Sequence, residues 1–148
     1  MHRLLLPVVC LCLAASGCTV NEVIVADESK LVVAKTEVDE ARLLDVGIVE
    51  FASGIREDND SRKTGVYEDI RLAETKYLAY HLKTTLQGTG HWGAVRVIPS
   101  TEAFTDVIVS GEIEKSDGEF VELNVSVHDA AGRHWFSNPY ETQTGVTS

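Results

Sequence analysis

The chain has 148 residues, with 13 basic and 23 acidic side chains, so its formal net charge at pH 7 is −10. This length suits one domain with a substantial apolar core. The excess of acidic residues disfavours binding to nucleic acid and to anionic lipid surfaces, because both would repel the chain.

The first seventeen residues are typical of a secretory signal peptide. His2 and Arg3 form a short basic start, and residues 4–14 form an apolar run that is too short to span a bilayer. The run ends in Leu-Ala-Ala-Ser-Gly-Cys, which resembles a bacterial lipobox, where lipoprotein signal peptidase cuts before a lipid-modified cysteine. We therefore expect residues 1–17 to be a lipoprotein signal peptide and Cys18 to carry palmitate-type acyl chains.

The cysteine count supports lipidation of Cys18. Cys10 and Cys12 lie in the leader, so the mature chain keeps Cys18 without a partner for an internal disulfide. Acylation would protect this thiol in an oxidising periplasm. The alternative is an ordinary cleaved signal peptide that happens to contain cysteines.

The lipid on Cys18 and the residue after it, Thr19, indicate the membrane to which the protein is sent. Loss of Arg3 with the leader leaves 12 basic and 23 acidic residues, a formal net charge of about −11. The acyl chains, and not a basic patch, must therefore attach the protein to the membrane. Thr19 stands where aspartate would resemble an inner-membrane retention signal of the enteric type. We expect a lipid-anchored protein of the cell envelope that faces the periplasm, in the outer membrane in preference to the inner.

Residues 18–42 are expected to form the lipidated N-terminus and a tether. Residues 23–25 and 31–33 could form short strands, while the apolar spacing between residues 31 and 41 also suits a helix. Residues 43–51 predict a strand with apolar side chains on both faces, and residues 52–65 a polar loop.

A long amphipathic helix is predicted after residue 66, with Gly88 and Gly90 as stop residues. Arg71 and Glu74 fall on its apolar side, where they could form an ion pair; alternatively, Arg71 could contact an external anion or headgroup. A strand is expected from Trp92 to Pro99. The predicted apolar stripe of the helix comprises Ile70, Ala73, Tyr77, Leu78, Leu82 and Leu86.

Alternating apolar residues predict strands over 106–114, 120–128 and 133–141, joined as two hairpins. A three-residue loop with Gly118 in the left-handed conformation sets Ile113 opposite Val121, and Val109 opposite Val125. The next turn sets Trp135 opposite Val127 on the buried face. Pro139 suits an edge strand, and residues 142–148 form a polar tail.

Together these elements predict an α+β fold: strand–helix–strand followed by two hairpins, with one long helix packed on a mostly antiparallel sheet. The folded domain is expected to span residues 43–141.

Two groups of residues are candidates for a site. Asp106, His128 and His134 become neighbours across strands in the predicted register and are the candidates for metal binding, although polar residues are also ordinary at strand ends. Ile108, Phe120 and Phe136 are predicted on the sheet face away from the helix, a candidate partner face. The open edge of the last strand is another docking candidate; alternatively, residues 23–25 fold back over the face.

The runs RLAETKY, LKTTLQ and GHWGAVRVIP, followed by DVIVSGEI and VELNVSVHDAAGR, resemble a family of proteobacterial lipoproteins of unassigned function. The resemblance covers residues 70–140. More distantly, the element order looks like small periplasmic modules of auxiliary lipoproteins in lipid-transporting ABC systems and of penicillin-binding-protein activators. This fold-level resemblance implies a module that binds partners and is not catalytic.

We therefore expect a non-catalytic binding module of the envelope, with a protein partner and without cofactor, metal or nucleic acid. The first alternative is an accessory lipoprotein of a lipid or solute transport system. The alternative from another class is a metal-dependent hydrolase.

Overall fold

A computed structural model of the chain describes residues 24–25, 30–55, 66–101 and 104–143. These residues form an α+β fold in which one long helix packs on a mixed sheet, so the predicted fold class is confirmed. No helix among them is long and apolar enough to cross a membrane. The elements are β1 (Ile24–Val25), a 3-10 helix (Glu40–Arg42), β2 (Val46–Val49), α1 (Glu68–Thr89), β3 (Val95–Ile98), β4 (Val107–Ser116), β5 (Phe120–Asp129) and β6 (His134–Gln143).

The six strands lie in the order β1-β6-β5-β4-β2-β3. The long ladders are the two antiparallel hairpins, β4 with β5 and β5 with β6. The short ladders are parallel: β2 pairs with both β3 and β4, and β1 pairs with β6. The chain thus reaches the far side of β2 through α1 and returns to build the hairpins.

The core forms where β2 is flanked by β3 and β4. Val46 and Ile48 of β2 are fully buried, as the double-faced apolar pattern of this strand predicts. Phe51 packs flat on Gly111, where a Cβ atom would come within 2.6 Å of the phenylalanine ring. Glycine is therefore required at this position in β4, because any larger residue would displace Phe51 from the core.

Helix α1 ends where the glycine pattern predicts. Gly90 adopts the left-handed conformation, with φ at 67°, and terminates the helix. The backbone N–H of Ala34 donates to the carbonyl oxygen of Thr89 at 2.7 Å, which satisfies one of the free carbonyls at the helix end. Part of the segment expected to be a tether is therefore packed against the domain, with Leu31 beside Gly88.

The packed face of α1 differs from the predicted apolar stripe. The fully buried helix residues include Arg71, Thr75 and Ala79, while Ile70 and Tyr77 are 58% and 64% exposed. Ala73 is exposed as well, whereas the predicted positions 78, 82 and 86 do pack against the core. The helix is rotated from the expected position because two polar side chains, Arg71 and Thr75, occupy its sheet-facing side.

Arg71 forms a buried connection between the helix and the sheet. Its side chain is almost fully buried, and its Nε lies 3.0 Å from Oε2 of Glu74, so the predicted ion pair is confirmed. Nη1 donates to the carbonyl oxygen of Ser53 at 2.9 Å, and Nη2 to that of Ser116 at 3.1 Å. A longer bond of 3.4 Å joins Nη1 to the carbonyl oxygen of Ile113. With these groups engaged, the alternative contact of Arg71 with an external anion is wrong.

The first hairpin has a three-residue loop, as predicted, but the loop consists of residues 117–119 and not of residues 116–118, and the register also differs. Gly118 has a positive φ of 88°, as expected. A β-bulge between Ile113 and Lys115 sets Ile113 opposite Leu123 and Val109 opposite Val127, two residues from the predicted partners. The faces of β4 up to Ile113 are unchanged, because a shift of two residues preserves side-chain parity; beyond the bulge the faces of β4 are exchanged. The bulge lies between the two β4 carbonyls that accept from Arg71.

The second hairpin contains a bulge that changes the faces. Val127 pairs with Phe136 and His128 with His134, so Trp135 is the extra residue. The predicted pairing of Trp135 with Val127 is wrong. Beyond the bulge, one inserted residue moves each following side chain of β6 to the other face of the sheet.

Both hairpin turns are closed by an aspartate. Oδ1 of Asp117 accepts from the backbone N–H groups of Glu119 and Phe120, and these bonds lower the pKa of Asp117 to about 2. Hydrogen bonds from the backbone N–H of Arg133, the indole N–H of Trp135 and the backbone N–H of Ala131 likewise lower the pKa of Asp129. The contribution of Asp117 to stability is therefore present above its ordinary pKa and is lost as the pH falls toward 2.

The buried network around Arg71 gives a stability prediction. Replacing Arg71 with Met should lower the free energy of unfolding by about 3 kcal/mol, because it leaves buried carbonyl oxygens without donors and Glu74 without its cation. Arg96→Met is the matched control, since Arg96 is exposed and its ion pair with Asp45 should contribute less than about 1 kcal/mol. Urea unfolding measures both changes; equal losses in the two variants would contradict a structural role for Arg71.

Candidate binding groove

Helix α1 leaves part of the sheet uncovered. Helix α1 lies mainly over β2 and β3, and β5 and β6 continue past it on the same face. Between the helix and these strands lies a half-open groove of about 350 Å³. Its lining is almost wholly apolar and consists of Val46, Leu82, Leu86, Trp92, Val107, Val109, Val125, Val127, Trp135, Phe136 and Tyr140.

Strand alternation and the second bulge build this lining. Val125 and Val127 share one face of β5 because they are two residues apart. This is the helix side, since both contribute to the core that includes Ala79 of α1. Phe136 lies opposite Val127, and Tyr140 lies opposite Leu123, so β6 adds two aromatic rings on the same face. Trp92, which follows the helix, packs against the core and also lines the groove. Without the bulge, Phe136 would lie on the opposite face.

Polar groups of the groove lie at its rim. Nε1 of Trp135 donates to Oδ2 of Asp129 at 3.5 Å, a long bond that orients the partly exposed indole ring. Tyr140 lies beside the edge of the sheet, where its register partner is Ile24 of β1. The groove can therefore hold an apolar group and offers it few hydrogen bonds in the interior.

The predicted partner face is only partly assembled. Ile108 and Phe120 are half-buried on the face away from the helix, but Phe136 lies in the groove on the other face, so its predicted placement is wrong. The bulge at Trp135 is the physical reason. Polar contacts separate the other two: Ser126 and Ser137 lie 2.7 Å apart, and Ser137 donates to Asn124 at 3.0 Å.

The edge beyond β6 is partly occupied. Ile24 and Val25 pair with Tyr140 and Glu141 in parallel orientation. A short strand at residues 23–25 was one possibility for the expected tether. The strand seen at residues 24–25 extends the sheet at the edge instead of covering the open face. At these two positions of β6, the edge available to another chain is therefore reduced.

The metal candidates are not assembled into one site. The rings of His128 and His134 are neighbours, with centroids 5.0 Å apart in an edge-to-face arrangement. Oδ2 of Asp106 instead accepts from the backbone N–H of Asp45 at 2.8 Å. Across the described ranges, no three His, Cys, Asp or Glu side chains are arranged to hold a metal. Cys18, the predicted lipidation site, lies outside the described residues.

Comparisons with known proteins add little. No protein-family model and no curated protein matches the chain. Among solved structures, the chain is similar to a PelC dodecamer from Paraburkholderia phytofirmans, with a TM-score of 0.46 and 17% sequence identity over 81% of this chain and 80% of that one. A similarity of this size carries no argument about function.

The sequence predicted most of the groove residues as core residues, and they do pack against the core. It predicted Phe136 on the opposite face of the sheet. Trp135 and Phe136 are adjacent in the sequence, and in a regular strand they would point to opposite faces. Both line the groove in the structure, and this requires the bulge.

The register of the second hairpin can be tested with cysteine pairs. In residues 19–148, produced without the leader and therefore without the three natural cysteines, Ser126→Cys with Ser137→Cys should form a disulfide readily, because these residues are directly opposite and their oxygen atoms lie 2.7 Å apart. Ser126→Cys with Phe136→Cys is the control and should stay reduced. Free-thiol titration distinguishes the two; oxidation of only the control pair would establish the register without a bulge.

Proposed function

We propose that the protein is a lipid-anchored periplasmic binding module of the bacterial envelope, attached to the outer membrane through Cys18. It acts by binding a protein partner and not by catalysis. The observation that carries this proposal is the apolar groove beside α1, together with the lipobox-like sequence that precedes Cys18.

The groove supports binding because it is an apolar surface on an acidic chain. The domain is strongly acidic, yet this surface presents four aromatic rings and a row of aliphatic side chains. Aromatic residues grouped in a depression are typical of places where proteins hold an apolar anchor from a partner. A bound partner would cover side chains such as Phe136 and Trp135, which are 39% and 44% exposed.

The groove also favours the second candidate, an accessory lipoprotein of a lipid or solute transport system. A volume of about 350 Å³ falls within the range of small-molecule pockets, and an apolar lining suits a hydrocarbon chain. Lipid that co-purifies with the soluble domain would favour this candidate over protein binding. The hydrolase alternative gains no support, since the carboxylate of Asp106 is already bonded to the backbone.

Lipidation of Cys18 can be tested in cells. Metabolic labelling with a palmitate analogue should mark the protein, and Cys18→Ser should abolish the label, because the variant lacks the acceptor thiol. Cys12→Ser is the matched control and should keep the label. Label that persists in the Cys18→Ser variant would refute the anchor.

Partner binding can be tested by photo-cross-linking. Benzoylphenylalanine at position 136 should give a defined adduct in cells, because this side chain lines the groove. The same group at position 80, where Tyr80 is 60% exposed on the outer side of the helix, is the control. Adding Val125→Phe should remove the adduct by filling the groove. An adduct that forms equally from both positions would contradict binding at the groove.

A further inference from the structure

We propose that the groove beside α1 holds an acyl chain carried by Cys18, so that the protein shelters its own lipid. This inference rests on the proposed lipidation of Cys18, and it assigns the occupant of a groove that is defined by described residues alone. The sheltered form would be the one in which the acyl chain is outside a bilayer.

The path of the chain leads to this groove. Ile24 of β1 is the register partner of Tyr140, and the side chain of Tyr140 lines the groove. Neighbouring strands lie about 4.8 Å apart, so β1 runs along the groove's outer border. Because β1 is parallel to β6, its N-terminal end points toward the part of β6 that contains Phe136, a second lining residue.

The lengths are compatible with this occupant. Cys18 precedes Ile24 by six residues in the sequence, and six residues span at most about 20 Å when fully extended. An acyl chain of a membrane lipid is roughly 15 Å long, half the thickness of the hydrocarbon core of a bilayer. The connecting residues and the acyl group together are therefore long enough for the acyl group to reach the groove beside β1.

The chemistry of the groove matches a hydrocarbon chain in preference to a charged or hydrogen-bonding ligand. None of its eleven lining residues carries a charge, and the polar side-chain atoms among them are the indole nitrogens of Trp92 and Trp135 and the hydroxyl of Tyr140. A tethered acyl chain also needs no second molecule to meet the groove, because attachment gives it a high effective concentration there. The bilayer competes for the same chain, so the groove and the membrane are alternative sites.

The experiment uses the mature chain, residues 18–148, produced without its leader. Cys18 is then the single cysteine, so N-dodecylmaleimide attaches one alkyl chain at the proposed lipid position. Trp92 and Trp135 are the two tryptophans of the sequence, and both line the groove. The dodecyl adduct should show blue-shifted tryptophan emission and about twofold weaker quenching by acrylamide than the N-ethylmaleimide adduct, because the indole rings lose contact with water.

Three variants test the location. Phe136→Asp places a carboxylate in the groove, and Val125→Phe fills it, so each should abolish the difference between the two adducts. Tyr77→Asp changes an exposed position on the helix and should leave the difference intact. Circular dichroism checks that each variant is folded; if Phe136→Asp unfolds, Val125→Phe decides. A difference that survives in folded Val125→Phe overturns the proposal.

The remaining outcomes identify other occupants. An emission shift that grows with protein concentration, with dimers in sedimentation, would assign the groove to a second copy. A shift with free dodecanoate but not with the attached chain would assign it to an untethered lipid, and no shift with either would leave an apolar protein segment. Each of these overturns the proposal without affecting lipidation. Absence of palmitate labelling of the wild-type protein in cells would overturn the anchor itself, whatever the tryptophan emission of the alkylated protein shows.

Discussion

The buried guanidinium of Arg71 joins three parts of the chain that are far apart in sequence. It binds the loop after β2 through Ser53, the end of β4 through Ser116, and its own helix through Glu74. Glu74 in turn accepts from the hydroxyl of Ser116 at 2.7 Å. A buried cation requires such a complete set of partners, so the position of α1 and the bulge in β4 depend on each other.

The rotation of α1 that accompanies this network affects part of its apolar stripe. Leu82 and Leu86 still face the sheet, as their spacing predicts, and they form one wall of the groove. The rotation leaves Ile70 and Tyr77 facing solvent, although their spacing places them on an apolar stripe. The polar anchor therefore accounts for the exposure of Ile70 and Tyr77.

Elements that depend on local patterns were predictable, and features that depend on distant partners were not. Alternation located β4, β5 and β6, and Gly90 and Gly118 marked a helix end and a turn, because both need a left-handed backbone. The bulges at Glu114 and Trp135 have no comparable local pattern. Each inserts one residue into an alternating strand, and only the pairing across the sheet shows where. For this reason the groove, whose aromatic wall depends on the second bulge, was missed.

The short pairing between β1 and β6 has a mechanical consequence. Two residues of β1 join the sheet at its outer edge, and the backbone of Ala34 holds the end of α1 by one hydrogen bond. A force applied at the N-terminus would reach these two attachments before the core strand β2. Since both attachments contain few hydrogen bonds, they would break first. The N-terminal segment would then extend while the sheet around Ile48 stayed intact.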